Sequence, residues 1–200
     1  MTAHLEDALQ QAKALIFDCD GTLVNSFPVY SRAWAAGFAL SGVTMSDQWY
    51  EARNGLSEHV LLDDFERDHG VVLDRAKVVA TMRSHYHDNL DAFLAEISLI
   101  TDIARRFSRK LLMAVASGGP RELVTRSLDA LGLTPLFQSI ITFDDVLKPK
   151  PEPDLFLRAA RELGIEPRQC LVFEDSPQGI QAAHAAGMSV IDVTALMPRI

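Results

Sequence analysis

Short apolar runs recur along the chain and alternate with segments that carry helix end signals. The apolar runs are residues 14–17, 111–116, 139–142, 170–173 and 189–193. Runs of this length that end near turn residues are typical of buried parallel strands. Between the later runs, proline begins each helical segment and glycine ends it, which is the usual distribution at helix termini. The alternation predicts an α/β fold with a doubly wound, Rossmann-like parallel sheet of five strands.

One interval breaks this alternation. Residues 18–110 contain no convincing strand, and their start and stop signals predict helices instead. The signals are Ser26-Phe27-Pro28 with Gly42, Ser57 with Gly70, and Asp74 with a stop near Asp91. A crossover between parallel strands needs only about a dozen residues, so the surplus predicts a helical cap domain inserted at 27–92. Residues 1–26 and 93–200 then form a discontinuous α/β core domain.

The charge of the chain restricts its partners. There are 19 Lys and Arg residues against 27 Asp and Glu residues, which gives a net charge of -8. A protein that binds nucleic acid normally presents a basic face, and anionic membranes repel an acidic surface. We therefore expect a small-molecule partner, with no nucleic acid and no membrane, and a monomer or a small homo-oligomer.

Cysteine usage and the apolar stretches bear on the cellular compartment. The first ten residues are polar and acidic, unlike a signal peptide, and the stretch near 111–116 is too short to span a bilayer. Cys19 and Cys170 have no motif spacing and lie in apolar contexts, which predicts buried free thiols. These features predict a cytoplasmic protein.

Candidate chemistry is concentrated just after the predicted strands. Asp18 and Asp20 follow the first run, and Gly21 can turn the chain so that one carboxylate attacks while the other handles protons. The alternative role for an acidic turn is helix capping. Open α/β sheets bind their ligands at the carboxyl ends of the strands. The helical insert leaves from this turn, so it is either a lid over that edge or a remote decoration.

Three further polar groups follow the later strands. Ser117-Gly118-Gly119 precedes a helix start and offers a hydroxyl and backbone amides that suit an anion. Lys150 lies on a proline-stiffened segment, where it can neutralise a phosphoryl oxygen or a carboxylate. Glu174 and Asp175 offer oxygens to a hard cation, with helix capping as their alternative role. Together the groups predict a site for Mg²⁺ and a phosphate ester.

In this order and spacing, the four groups resemble the motifs of the haloacid dehalogenase superfamily of aspartate-nucleophile phosphohydrolases. The segment DCDGT at 18–22 is similar to the first motif, Ser117 to the second, Lys150 in KPEPD to the third, and Glu174-Asp175 to the fourth. The resemblance covers nearly the whole chain. The run FEDSPQGIQAAHAAGM is similar to the branch that contains β-phosphoglucomutase and small sugar-phosphate phosphatases.

The resemblance implies a mechanism and a set of site residues. Asp18 would attack phosphorus to form an aspartyl phosphate, while Asp20 would protonate the leaving oxygen and then activate water. The phosphoryl oxygens would be held by Thr22, Ser117, the Gly118 amide and Lys150. Mg²⁺ would be bound by the Asp18 carboxylate, the Asp20 backbone carbonyl and Asp175, with Glu174 acting through water. The implied activity is hydrolysis of a small phosphorylated metabolite, with a sugar phosphate as the expected class.

Four positions depart from the mutase pattern within that branch. Tyr30 stands where the mutase has His, Glu58 where it has a phosphate-holding Arg, Pro120 where it has Lys, and Asn25 where the branch usually has Asp. Each loss removes a group that holds or turns over a bisphosphate, so hydrolysis is favoured over phosphomutase action. A non-catalytic phospho-acceptor domain is a third alternative, although it would need neither the second acid nor the insert.

Residues of the helical insert are candidates for contacting the substrate. Tyr30 lies in the first turn of a helix, within an aromatic stripe whose helical spacing otherwise fits a core. Arg53 and Asn54 precede a glycine, and they either contact the leaving group or form a turn.

Overall fold

The apolar runs are strands in the computed structural model, which describes residues 3–53 and 56–197. The strands are β1 (Ala14–Phe17), β2 (Val24–Asn25), β3 (Ala95–Glu96), β4 (Leu112–Ala116), β5 (Ser139–Ile141), β6 (Cys170–Glu174) and β7 (Ser189–Asp192). Within the described residues, all but the two-residue strands β2 and β3 form one parallel sheet in the order β5-β4-β1-β6-β7. The central strand β1 therefore ends between β4 and β6. This arrangement confirms the predicted Rossmann-like α/β fold.

Helices occupy the intervals between the strands. They are α1 (Ala3–Gln11), α2 (Phe27–Phe38), α3 (Asp47–Glu51), α4 (Glu58–His69), α5 (Arg75–Phe93), α6 (Ser98–Phe107), α7 (Arg121–Ala130), α8 (Asp154–Leu163) and α9 (Pro177–Ala185). The sequence analysis did not identify α1, α3 or α6. The start of α6 carries no signal, because Ile97 stands at its N-cap and no side chain caps it. This helix forms through the apolar face that it buries, which includes Ile100 and Ile103.

Contacts divide the chain into two units. Met1–Asn25 and Glu96–Ile200 form the first, which we call the core unit, and Ser26–Ala95 forms the second, which we call the helical unit. All of β1 is fully buried in the core unit, where Phe17 stacks on Phe173 with ring centroids 4.8 Å apart. Cys19 and Cys170 are buried free thiols, as predicted. No helix within the described residues is both long and apolar enough to cross a bilayer.

Aromatic side chains form the interior of the helical unit. Phe38 and Phe65 are fully buried and stack with their ring centroids 3.8 Å apart. Trp34 stacks on Phe38, and Trp49 meets the edge of Phe65. The aromatic stripe predicted from helical spacing is therefore largely the interior of this unit, and the two tryptophans of the chain both belong to it.

Truncating the stacked ring should destabilise the helical unit. We expect Phe65→Ala to lower the free energy of unfolding by about 3–5 kcal/mol, because it removes buried apolar surface and leaves a cavity. Urea unfolding followed by tryptophan fluorescence measures this unit, since both indoles lie in it. Val72→Ala is the matched control, because Val72 is 94% exposed and its loss should change stability by less than about 0.5 kcal/mol. Equal unfolding midpoints for the two variants would contradict the packing described.

Candidate active site

Asp18 continues the central strand to the edge of the sheet. Its amide donates to the carbonyl of Phe173 at 2.9 Å, and the residue is only 5% exposed. Asp20 lies two residues further along, in the turn that follows. Its carboxylate comes close to the loop after β4, because a Cβ built on Gly119 would lie 3.3 Å from Asp20 Oδ2 and 3.4 Å from Ser117 Oγ. Residues from two different strand ends thus meet around Gly119.

Glycine is required in the turn between β1 and β2. Gly21 has φ of +86°, a conformation that L side chains rarely adopt. A Cβ at this position would also overlap the carboxylate of Asp175. The turn is closed by the Gly21 amide, which donates to the carbonyl of Val24 at 2.8 Å. The backbone of the first motif therefore packs directly against an acid of the fourth.

Thr22 supports that same acid. It is completely buried, and its hydroxyl donates to Asp175 Oδ1 at 2.9 Å. The resemblance assigns Thr22 to the phosphoryl oxygens, but the structure places its hydroxyl on a carboxylate. Gly21 and Thr22 together hold Asp175 in one position.

Lys150 lies between two carboxylates. Its Nζ donates to Asp18 Oδ1 and to Glu174 Oε2, each at 2.6 Å. The ammonium also lies 5.1 Å from the centre of the Phe156 ring, which offers a cation–π contact. The side chain of Lys150 is 10% exposed, so these partners take the place of most of its hydration. Charge-assisted hydrogen bonds of this kind are the strong ones in proteins.

The charges at this edge of the sheet are unbalanced. Burial raises the pKa of Asp18 well above its ordinary value, and the carboxylate of Glu174 raises it further while Lys150 opposes the shift. Burial and Glu174 also raise the pKa of Asp175 to about 6. Burial alone would lower the pKa of Lys150, but the Asp18 and Glu174 carboxylates raise it above its ordinary range. The described part of the site therefore has more carboxylates than cationic groups to neutralise them.

The donor set fits a hard divalent cation. Oxygens of Asp18, Glu174 and Asp175 lie within 4.8 Å of one another. Carboxylate oxygens are the ligands that Mg²⁺ and Ca²⁺ prefer, and a divalent charge would offset the surplus of acids. Three of the four residues that the resemblance assigns to the metal therefore lie together, with their carboxylate oxygens in one cluster.

The segment after β4 offers hydrogen-bond donors. Ser117 is 1% exposed, and its amide donates to the carbonyl of Ile141, which fixes it to β5. Its hydroxyl accepts a bond from the Gly119 amide at 3.0 Å, so the hydroxyl hydrogen can be given to another group. The Gly118 amide lies in the same loop, and α7 begins at Arg121. The loop has the composition and position of an anion-binding segment.

The predicted residues of the helical unit have different surroundings. Tyr30 is partly buried, with its ring centroid 4.6 Å from that of Tyr86. The Arg53 guanidinium donates to Asp64 at 3.1 Å and to Asp68 at 2.7 Å, and it lies 4.3 Å from the Trp49 ring. Arg53 therefore joins α3 to α4, which favours the turn-forming alternative.

Asn54, the third of these candidates, lies outside the described residues. Sequence reasoning also missed Gly179 in the core unit, whose Cα approaches the carboxyl group of Glu174. The available signal was its place inside a predicted helix, where glycine is unfavourable unless another group comes close.

Comparison with known proteins decides the family. The sequence model of the haloacid dehalogenase-like hydrolase family matches residues 12–187. The chain belongs to this family. This hydrolase is 33% identical over 189 residues to fructose-1-phosphate phosphatase YqaB of Escherichia coli (strain K12), with 91% of this chain and 96% of that protein covered. It is 27% identical over 188 residues to 6-phosphogluconate phosphatase of the same organism, with 91% and 82% covered.

A solved structure aligns with this hydrolase over most of its length. The crystal structure of CbbY from Rhodobacter sphaeroides in complex with phosphate aligns with a TM-score of 0.80 and 26% identity. The alignment covers 90% of this chain and 84% of that one. The family model and the two phosphatase relatives confirm the family and branch predicted from the motifs, and also the prediction of an enzyme.

The hydroxyl of Thr22 should matter for cation binding by this hydrolase. Thr22→Val keeps the shape of the side chain but removes the donor to Asp175, so we expect affinity for Mg²⁺ to fall about tenfold. Thr22→Ser is the matched control, because it keeps the hydroxyl and should bind Mg²⁺ nearly as the wild type does. Isothermal titration calorimetry measures both constants. Wild-type affinity in Thr22→Val would show that the bond to Asp175 is not needed.

Proposed function

We propose that the chain is a Mg²⁺-dependent phosphatase that hydrolyses a small phosphorylated metabolite, with a sugar phosphate as the class, through an aspartyl phosphate. The observation that carries the proposal is the position of Asp18, a buried carboxylate in contact with Lys150 and beside Glu174 and Asp175. The printed names of the relatives, a fructose-1-phosphate phosphatase and a 6-phosphogluconate phosphatase, support this substrate class.

The two acids of the turn have separate roles in the reaction. A carboxylate oxygen of Asp18 attacks phosphorus, and the bond from phosphorus to the ester oxygen breaks. The carboxyl of Asp20 gives its proton to that departing oxygen. The resulting Asp20 carboxylate then takes a proton from a water molecule, which attacks the aspartyl phosphate and releases orthophosphate and the Asp18 carboxylate.

The remaining polar groups bind the phosphoryl group. Lys150 brings an ammonium to within 2.6 Å of the attacking carboxylate, so it can neutralise a phosphoryl oxygen as the new bond forms. The Ser117 hydroxyl and the Gly118 amide donate hydrogen bonds from the loop after β4. These donors supply the local positive potential that an acidic protein needs for an anionic substrate.

The Asp18 carboxylate, the Asp175 carboxylate and the backbone carbonyl of Asp20 would hold Mg²⁺. The ion supplies positive charge that offsets both the gathered acids and the phosphoryl oxygens. Asp175 is held for this role by Thr22 and Gly21, as its hydrogen bond and packing indicate.

Hydrolysis is preferred to phosphomutase action because of position 58. Glu58 stands where the mutase pattern has a phosphate-holding arginine, and its carboxylate oxygens accept from Arg83 at 3.3 Å. An acid at this position does not retain a second phosphate group. Release of orthophosphate from a sugar phosphate should therefore exceed formation of an isomeric sugar phosphate.

Loss of the attacking carboxylate should abolish turnover. We expect Asp18→Asn to lower kcat/KM on p-nitrophenyl phosphate by at least about a thousandfold, because an amide cannot form the phosphoryl intermediate. Asp102→Asn is the matched control, since the side chain of Asp102 is 75% exposed on α6. Wild-type turnover by Asp18→Asn, or no acid-stable phosphoryl label on the wild-type protein after quenching, would refute the assignment.

Metal removal and a substrate panel test the rest of the proposal. We expect EDTA to abolish phosphate release and added MgCl₂ to restore it, because the acids of the site repel a phosphate ester when no cation offsets them. Across phosphorylated sugars, sugar acids, nucleotides and amino acids, the highest kcat/KM should fall among the sugar derivatives. Activity that persists in EDTA would exclude the metal, and a preference for nucleotides would exclude the substrate class.

A further inference from the structure

The loop after β4, which we call the Ser117 loop (residues 117–120), is joined to the segment that follows β5. The Ser117 amide donates to the carbonyl of Ile141 at 2.9 Å, and the Phe143 amide donates to the carbonyl of Gly119 at 3.4 Å. These two bonds continue the pairing of β4 with β5 beyond the end of β4. The position of the loop is therefore set from the side of β5.

Two acids of that segment hold the start of α7. Asp144 Oδ2 accepts from the backbone amide of Arg121 at 2.8 Å, although 23 residues separate the two along the chain. Asp145 forms an ion pair with the Arg121 guanidinium, which also donates to the carbonyl of Ile140 at 3.1 Å. The first residue of the helix is thus bonded to one short segment through both its main chain and its side chain.

Asp145 is itself held in one orientation. Its Oδ2 accepts from the amide of Thr142 at 2.7 Å and from the hydroxyl of that buried residue at 3.0 Å. Burial alone would raise the pKa of Asp145, but its bonds to Thr142 and Arg121 hold the pKa below its ordinary value. An ion pair between side chains that are 46% and 25% exposed contributes little to stability by itself. A fixed carboxylate can nevertheless set the position of its partner.

The start of α7 depends on this distant acceptor. Pro120 stands at the N-cap, where it has no side-chain oxygen to offer, and no side-chain hydrogen bond is formed from that position. The first amides of a helix have no partners within the helix. Asp144 provides the acceptor for the first of them, so a residue near the end of β5 replaces the usual local cap.

The same bond decides which donors the Ser117 loop offers to an anion. The other amides of residues 117–121 are bonded or absent: those of Ser117, Gly119 and Arg121 donate to Ile141, Ser117 and Asp144, and Pro120 has none. Within residues 117–121, all of which the structure describes, the Gly118 amide is therefore the backbone donor left for a ligand. A Cβ built on Gly118 would meet nothing within 4 Å apart from its chain neighbours, so this side of the loop is open.

We propose that Asp144, Asp145 and Arg121 are positioning residues for the phosphatase reaction. By joining the start of α7 to the segment after β5, they hold the Gly118 amide and the Ser117 hydroxyl in the direction of the phosphoryl oxygens. The inference rests on the proposed function and adds residues that touch neither substrate nor metal. Because Asp144 occupies the helix end that an anion would otherwise contact, the loop binds the phosphoryl group through two directed donors.

Substitutions of Asp144 separate its hydrogen bond from its charge. In Asp144→Ala, we expect the dissociation constant for orthophosphate with excess MgCl₂ and the KM for p-nitrophenyl phosphate to rise at least about tenfold, because misplaced donors bind weakly. Asp144→Asn keeps an acceptor for the Arg121 amide and should stay within about threefold of wild type. Calorimetry and steady-state kinetics measure these constants. A variant that merely unfolded in part would lower kcat and leave KM unchanged.

The ion pair supplies a second readout. Arg121→Ala and Asp145→Ala should each raise KM, and the double variant should lose less than the product of the two single effects, because both remove the same contact. Arg126→Ala is the matched control, since Arg126 is exposed on the same helix and its loss should leave KM unchanged. Unchanged phosphate affinity in Asp144→Ala, equal losses in Asp144→Asn and Asp144→Ala, or fully multiplicative losses in the double variant would each overturn the inference.

Two checks keep the outcomes separable. Circular dichroism and thermal unfolding establish that each variant is folded, and the comparison of Arg121→Ala with Arg126→Ala decides if Asp144→Ala does not fold. Wild-type turnover and its loss in Asp18→Asn are measured first. No turnover by the wild type would refute the proposed function together with this inference, whereas wild-type phosphate affinity in the variants refutes the inference alone.

Discussion

The site depends on one electrostatic constraint, which is the burial of neighbouring carboxylates at the ends of β1 and β6. Among the described residues, Asp18, Glu174 and Asp175 bring their oxygens within 4.8 Å of one another, and Lys150 bonds to two of them. Like charges at this spacing are stable only when hydrogen bonds, cations or helix ends offset them. Lys150 compensates Asp18 and Glu174, the start of α9 also compensates Glu174, and Thr22 compensates Asp175.

Close packing of the backbone against carboxylates allows these acids to lie so near one another. Gly21 and Gly179 present a bare Cα to Asp175 and Glu174, respectively, where any side chain would overlap the carboxyl group. The central position of β1 brings these contacts together, since β4 and β6 are its neighbours on either side. The sheet therefore determines which loops meet, and the two glycines determine how closely they approach.

Much of this architecture follows from the sequence because strands buried on both faces leave a simple apolar pattern. All of the predicted runs became strands, and the helix ends at Gly70 and Gly164 adopt the left-handed conformation that glycine favours. The helix α6 was missed because it begins without a capping side chain. The apolar residues of α6 can be recognised as a buried helix face only when the surface that they cover is known.

The identities of the clustered residues were also predictable, but their hydrogen bonds were not. Motif order places acids, a lysine and a serine at one edge of a parallel sheet. It does not show that the Thr22 hydroxyl donates to Asp175, nor that Arg53 forms ion pairs with Asp64 and Asp68. These pairings depend on side-chain directions across long sequence separations, which no local pattern encodes.

The contact between positions 174 and 179 has an evolutionary consequence. A longer side chain at 179 is compatible with this backbone only if the acid at 174 is shortened, because both groups occupy the same small volume. Relatives that carry aspartate in place of Glu174 should therefore tolerate alanine or serine in place of Gly179, whereas those with glutamate should retain glycine. The two positions are expected to covary, and the lysine of the third motif would then reach a carboxylate that lies further from it.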